Sequence, residues 1–191
     1  MVNFLIIMEN KFINKIDSNY SNKPATKIRW RKSLDFIGDK TSFKSALDIG
    51  DRSGLTEMME SMYQVKFDNT TGNLDYNTLD GNYDLVTSFE VLEHLFNPLF
   101  HLQQVKKILS KEGKLVLSTP LSKPRFLWSK EHFHEMSLAS IEALFDVAGF
   151  KVVRKDFFRV HPLTFYFKGV RPLLRLLFDK IQIYELEHLD E

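Results

Sequence analysis

The stretch ALDIGDRSG, residues 46–54, decides how this chain is read. Ala46, Leu47 and Ile49 make a short apolar strand that carries one carboxylate, Asp48, and ends at Gly50. Glycine there lets the backbone turn sharply and lets a ligand approach, because no Cβ obstructs either. Ser53 offers a cap for a following helix whose apolar stripe is Leu55, Met58, Met59 and Met62. A strand, a glycine turn and a helix start form the place where an open α/β sheet holds a nucleoside-bearing ligand beyond its strand ends. A charge inside an apolar strand is costly unless partnered. Asp48 therefore predicts a ligand ammonium, or backbone donors of the turn, within reach.

Working outward, the chain alternates strands and helices. Residues 24–43 have a helical pattern with Trp30, Leu34 and Ile37 on one face. Residues 63–68 read as a second strand and residues 69–82 as loop, rich in Asn, Thr, Gly and Asp. Residues 84–88 form a strand through Leu85 and Val86. Asn97 followed by Pro98 starts a helix that buries Leu99, Leu102, Val105, Ile108 and Leu109. Lys111, Glu112 and Gly113 make a turn into a strand at residues 115–117, which Pro120 stops. Ser137 caps a helix with Leu138, Ile141, Leu144, Phe145 and Ala148 inward and Gly149 at its end, and residues 150–153 are a strand. Such alternation predicts a three-layer α/β sandwich around a mostly parallel, doubly wound sheet. Residues 1–24 lack a period and read as an irregular arm, leaving residues 25–191 as a single domain. In the tail, residues 170–178 read as a helix with Pro172 near its start and residues 181–184 as a closing strand. Its apolar and basic mixture packs on the sheet or makes a weak contact with a membrane surface.

Composition narrows the function classes. At 191 residues and 43% apolar content the chain supports one full core. With 26 Lys plus Arg against 25 Asp plus Glu, the net charge of +1 creates no field for a polyanion, which argues against general nucleic-acid binding. The absence of cysteine excludes disulfides and thiolate metal sites. No run approaches the roughly 20 apolar residues of a bilayer span, and the opening MVNFLIIMEN lacks a basic segment ahead of its apolar patch. A cytoplasmic location is the expectation.

Taken in order, ALDIGDRSG, YDLVTSFEVLEHL (83–95), EGKLVLSTP (112–120) and HFHEMSLASIEALFDVAGFKVVR (132–154) resemble the class I S-adenosylmethionine-dependent methyltransferases. The EVLEH segment is most similar to the small-molecule group that includes ubiquinone-biosynthesis O-methyltransferases. The resemblance implies a Rossmann-like fold and transfer of a methyl group from S-adenosylmethionine to oxygen or nitrogen of a small-molecule acceptor. It implies that Asp48, Gly50 and Gly54 organise the cofactor turn and that Asp68 accepts the ribose hydroxyls. It further implies that Leu74 and Asp75 meet the adenine and that Phe89 lines the sulfonium region. The sequence departs from the family in two ways. Asp51, Arg52 and Ser53 stand where more glycine is usual, and only 84 − 48 = 36 positions separate Asp48 from Asp84. The region between the second and fourth family strands is thus expected to be shortened. These departures motivate an alternative: a methyltransferase-fold binding or partner subunit with a degenerate cofactor site.

Glu90, Glu93 and His94 follow the strand at 84–88, and His132 and His134 come from a later loop. Carboxylates and imidazoles in this number suit a divalent cation such as magnesium, held by Glu90, Glu93, His94 and His134. Such an ion lowers an acceptor hydroxyl's pKa and orients it. Without metal, His94, His134 or Glu93 is the candidate catalytic base, since an imidazole titrates near neutrality. Phe126, Trp128, Phe133 and Trp30 are the aromatic residues placed to wall an acceptor pocket. The small-RNA 2′-O-methyltransferases also pair an E-x-x-E-H segment with a later histidine, but the near-zero net charge disfavours an RNA acceptor.

Overall fold

The computed structural model describes residues 23–161 and 163–189. The arm expected over residues 1–24 falls almost wholly outside that range. Helix α1 is Pro24–Ile37, strand β1 is Ala46–Asp48, helix α2 is Gly54–Tyr63 and strand β2 is Phe67–Asn69. Strand β3 is Tyr83–Phe89, helix α3 is Pro98–Ile108, strand β4 is Leu109–Pro120 and helix α4 is Leu138–Ala148. Strand β5 is Phe150–Phe158, followed by helices α5 (Leu163–Tyr166) and α6 (Val170–Phe178) and strand β6 (Ile181–His188). One-turn 3₁₀ segments occupy Leu92–His94 and Arg125–Leu127.

The six strands lie in the order β2-β1-β3-β4-β6-β5. β2, β1, β3 and β4 are parallel, whereas β6 is antiparallel to both of its neighbours. The tail strand is therefore interior, with Ile183, Tyr184 and Leu186 fully buried. Alternate residues leave opposite faces of the pleat. Leu47, Ile49, Val86, Leu115 and Leu117 meet α3 and α4 through Leu102, Val105, Ile141 and Phe145. Ala46, Phe67, Leu85, Val116 and Ile183 meet α1 and α2 through Leu34, Ile37, Leu55 and Met59. This is the three-layer α/β sandwich the alternation predicts.

Several details differ from the sequence expectation. Met58 and Met62 are exposed, so of the expected apolar stripe α2 buries Leu55 and Met59 alone, because the helix sits at the sheet margin beside the three-residue β2. Leu138 is exposed and Leu144 half-buried, leaving Ile141, Phe145 and Ala148 as the inward face of α4. The expected turn at residues 111–113 lies within β4. There the register jumps from Tyr83↔Leu109 to Leu85↔Lys114. Leu109 itself is a strand residue. Residues 70–82 carry no helix or strand and cross over β1 to reach β3.

Candidate functional site

The parallel strands deliver their ends to one side of the sheet, and the glycine turn stands there. Gly50 has φ +106°, a conformation that L side chains rarely adopt, and a Cβ built on it meets nothing within 4 Å. Its N–H donates to Thr70 Oγ1 at 2.7 Å, and Asn69 Nδ2 donates to the carbonyls of Asp48 (3.1 Å) and Gly50 (3.3 Å). Asn69 and Thr70 thus pin the turn from the end of β2. Sequence reasoning missed both, since an Asn-Thr run after a strand reads as ordinary loop.

Asp48 accepts hydrogen bonds from Thr56 Oγ1 (2.6 Å) and Thr87 Oγ1 (2.7 Å). Threonine hydroxyls of α2 and β3, rather than the turn amides, are its partners within the chain. Burial pushes its pKa up to about 6, against the pull of both hydroxyls and of Arg52. Asp48 therefore joins β1, β3 and α2 at the base of the turn. Ser53 caps α2, accepting from the N–H groups of Leu55 and Thr56, while Thr56 Oγ1 accepts from the Ser53 N–H. This capping box fixes the positive end of the α2 dipole beside Gly50.

The residues that replace the usual glycines do not crowd the turn. Asp51 is exposed, and Arg52 pairs with Glu60 one helix length away, including an Nη1–Oε1 contact of 3.1 Å. Gly54 has a packing role: a Cβ there meets the Trp30 ring at 2.9 Å, so its absence lets Trp30 of α1 lie on the start of α2. Asp68 is exposed and accepts from the Tyr83 hydroxyl at 3.0 Å. Asp75 accepts from the Asn97 N–H at 2.7 Å, which ties the 70–82 crossover to the start of α3. Leu74 packs against the core on that side, and Phe89 packs against the core on the other, as Trp30 does.

A polar cluster follows β3. Glu90 holds φ +58° without being glycine, and strain of this kind gathers at functional sites. Its N–H donates to the Ser118 carbonyl, its Oε1 accepts from Ser118 Oγ at 2.9 Å, and its Oε2 lies 3.4 Å from Arg29 Nη1. Glu93 is buried and accepts from Thr119 Oγ1 at 3.0 Å. Burial, with the nearby charge of Glu90, holds its pKa well above the carboxylate range. The Glu93 carbonyl accepts from the Phe133 and His134 N–H groups, which draws the second loop onto the 3₁₀ turn.

That loop brings His132 to His94, with ring centroids 5.0 Å apart. Ligand atoms of Glu93, His94 and His132 all lie within 4.8 Å of one another. His94 Nδ1 lies 3.0 Å from the Glu131 carbonyl and His132 Nδ1 lies 2.8 Å from Glu135 Oε1. Both acceptors require a proton on Nδ1, so each neutral ring presents a lone pair on Nε2. Burial lowers the His94 pKa and favours that neutral form. Glu135 is itself buried, 3.2 Å from Lys123 Nζ.

Of the expected set Glu90, Glu93, His94 and His134, the second and third join this group. Glu90 is engaged by Ser118 and Arg29, and His134 lines a separate open cavity of about 480 Å³ with Trp128, Phe133 and Met136. His132 takes the place expected of His134; the signal for it was Glu135, three residues on. Trp128 and Phe133 share that cavity, whereas Phe126 points to solvent and Trp30 serves α2.

A central parallel sheet with a carboxylate-anchored glycine turn at its strand ends defines a Rossmann-like methyltransferase fold. Residues 25–155 match the family described as "Methyltransferase domain", and the chain belongs to that family. No curated protein sequence matches it significantly. Among solved structures it is similar to a methyltransferase of Haloferax volcanii in complex with the Trm112 methyltransferase activator (TM-score 0.70, 13% identity, 94% of this chain and 98% of that one). It is also similar to the N-methyltransferase NodS of Bradyrhizobium japonicum in complex with S-adenosylhomocysteine (0.65, 11%, 96% and 98%). A third likeness is to the O-methyltransferase of a trans-AT PKS multienzyme of Brevibacillus brevis with the same ligand (0.63, 11%, 85% and 72%).

Proposed function

We propose that the protein transfers a methyl group from S-adenosylmethionine to an oxygen or nitrogen of a small acceptor. The observation that carries this reading is the clear space at Gly50, between a turn fixed by Asp48, Asn69 and Thr70 and the capped start of α2. Two neighbours with the same overall fold were crystallised with S-adenosylhomocysteine, which supports the reading. In this reading Gly50 lets the methionine end approach, Asp48 sets the turn, and Phe89 borders the sulfonium. Asp75 keeps one carboxylate oxygen for the adenine amino group while the other holds Asn97. Asp68 serves the ribose from the end of β2. Arg52, engaged by Glu60, leaves the entrance clear, which weighs against a degenerate site.

In the reaction the acceptor heteroatom forms a bond to the methyl carbon as the carbon–sulfur bond breaks. The acceptor's proton leaves to a base, and S-adenosylhomocysteine remains. Placement of the two reacting atoms in line supplies most of the rate. The Nε2 lone pairs of His94 and His132 are the bases best prepared to take that proton.

Glu93, His94 and His132 also fit a divalent cation. A buried carboxylate that accepts from Thr119, beside two imidazoles held by oxygen acceptors on Nδ1, has the donor chemistry and outer support of such a site. A bound ion would supply Lewis acidity to an acceptor hydroxyl. The arrangement supports the likeness of the EVLEH segment to the ubiquinone-biosynthesis O-methyltransferases, with His132 in the histidine's role. A crystal soaked with S-adenosylhomocysteine and a divalent salt tests the reading. Density for the nucleoside is expected beside Gly50 and Asp75; density only elsewhere contradicts it.

A further inference from the structure

A surface helix ordinarily turns its apolar stripe inward, but among the described side chains of α6 several large apolar ones face out. Val170, Leu173 and Leu177, three and four residues apart, are 76%, 48% and 66% exposed, and Phe167 just before them is 80% exposed. The inner side of the helix is fastened by polar ties. Arg159 Nε donates to the Leu176 carbonyl at 3.1 Å, and Asp179 at the helix end lies 3.2 Å from Lys123 Nζ. α6 is therefore held in place by these ties while a row of large apolar side chains faces out. A contiguous exposed patch of this kind marks an interaction surface.

Charge identifies the occupant. From Arg159 to Lys180 the chain carries five basic residues, Arg159, Lys168, Arg171, Arg175 and Lys180, against one acidic residue, Asp179. The whole protein has a net charge of only +1, so this excess is local. Apolar side chains in a row, within a basic stretch of the chain, match the boundary between acyl chains and anionic headgroups. An identical copy of the patch would oppose it with like charge. Residues 1–22 are apolar in part but contain Lys11 and Lys15 against Glu9 and Asp17, so they offer no negative complement.

We propose that α6 and the preceding Phe167 dock the protein in plane on an anionic lipid bilayer. The helix runs directly into β6, whose first residue pairs with Pro120 at the end of β4. It thus stands at the strand ends where the glycine turn and the Glu93 cluster lie. Docking turns that end of the sheet toward the bilayer. The proposal does not depend on methyl transfer, and its readout involves none.

The test uses the full chain, because β6 is part of the sheet core. Co-sedimentation is measured with vesicles of phosphatidylcholine alone and of phosphatidylcholine mixed with phosphatidylglycerol. Wild type is expected to partition onto the mixed vesicles at least about tenfold more than onto the neutral ones, falling with salt. Leu173→Glu combined with Leu177→Glu is expected to lower that partition at least about tenfold. Its melting temperature and S-adenosylhomocysteine affinity should stay at wild-type values, since both side chains are exposed. The chain has no cysteine, so Val170→Cys takes a single environment-sensitive dye, whose emission should shift to the blue on mixed vesicles. Equal pelleting of wild type and the double variant overturns the proposal, as does no pelleting. A dye already shielded in the free chain, or a dimer that the double variant dissociates, overturns it in favour of another occupant.

Discussion

Asp48→Asn should make the protein less sensitive to pH, in a direction and by an amount the structure sets. The Asp48 carboxyl titrates near 6 in the folded chain, against 3.8 as its ordinary value, because burial disfavours its charge. Between those two values the folded state binds a proton that the unfolded state has lost. Its contribution to stability is therefore full below about 3.8, fades as pH rises, and is gone above about 6. At 1.36 kcal/mol per pH unit, the interval amounts to about 3 kcal/mol. Asparagine keeps the volume. Its Nδ2 can donate to Thr87 Oγ1, whose hydroxyl then turns to the Leu47 carbonyl 3.5 Å away. Urea melts of both proteins across about pH 4 to 8 give the free energies. The stability of the variant minus that of wild type is expected to grow by about 3 kcal/mol with rising pH. A difference that stays flat, or shrinks, refutes the argument that this carboxylate is desolvated and unpaired by charge.

Gly54→Ala should cost about 1–3 kcal/mol, read by thermal melting, because its Cβ collides with the Trp30 ring; Trp30→Leu should recover most of that loss in the double variant. Glu185 is buried in β6 between Lys114 Nζ and Arg154 Nε, each at 2.6 Å. Burial alone would raise its pKa, but the two cations outweigh it and hold it below the ordinary value. The Glu185→Gln variant should thus lose about 1–3 kcal/mol near pH 7, with a deficit that narrows as acid protonates the wild-type carboxylate; a deficit independent of pH contradicts the pairing. Manganese titration should show an affinity that falls at least about tenfold in His132→Ala and about tenfold in Glu135→Gln, with His134→Ala near wild type. Equal losses at positions 132 and 134 would restore the sequence expectation over the observed geometry.

Much of the fold follows from local rules written in the sequence. Asn97-Pro98, Ser53 and Ser137 mark helix starts, and the structure has a capping side chain at each. The placement of β6 is different in kind. Its apolar run reads as a strand, but insertion between β4 and β5 depends on pairings with residues more than 20 positions away. The exposure of Met58 and Met62 is likewise a tertiary matter, set by a β2 too short to cover them. At the site, Asp48 and Gly50 stand out because a carboxylate and a glycine interrupt an apolar strand. Asn69 and Thr70 carry no such contrast. The choice between His132 and His134 rests on which of two nearby side chains turns inward. That choice is made by Glu135 and by the hydrogen bonds from the Phe133 and His134 amides to Glu93.

Isothermal titration of the protein with S-adenosylhomocysteine, beside Gly50→Val, bears most directly on the central claim. The account expects saturable binding by wild type in the micromolar range, on the order of −8 kcal/mol. It expects none by the variant, whose side chain would stand in the clear space at a backbone angle valine rejects. No heat from the wild-type chain at millimolar ligand, or equal binding by both proteins, would contradict it.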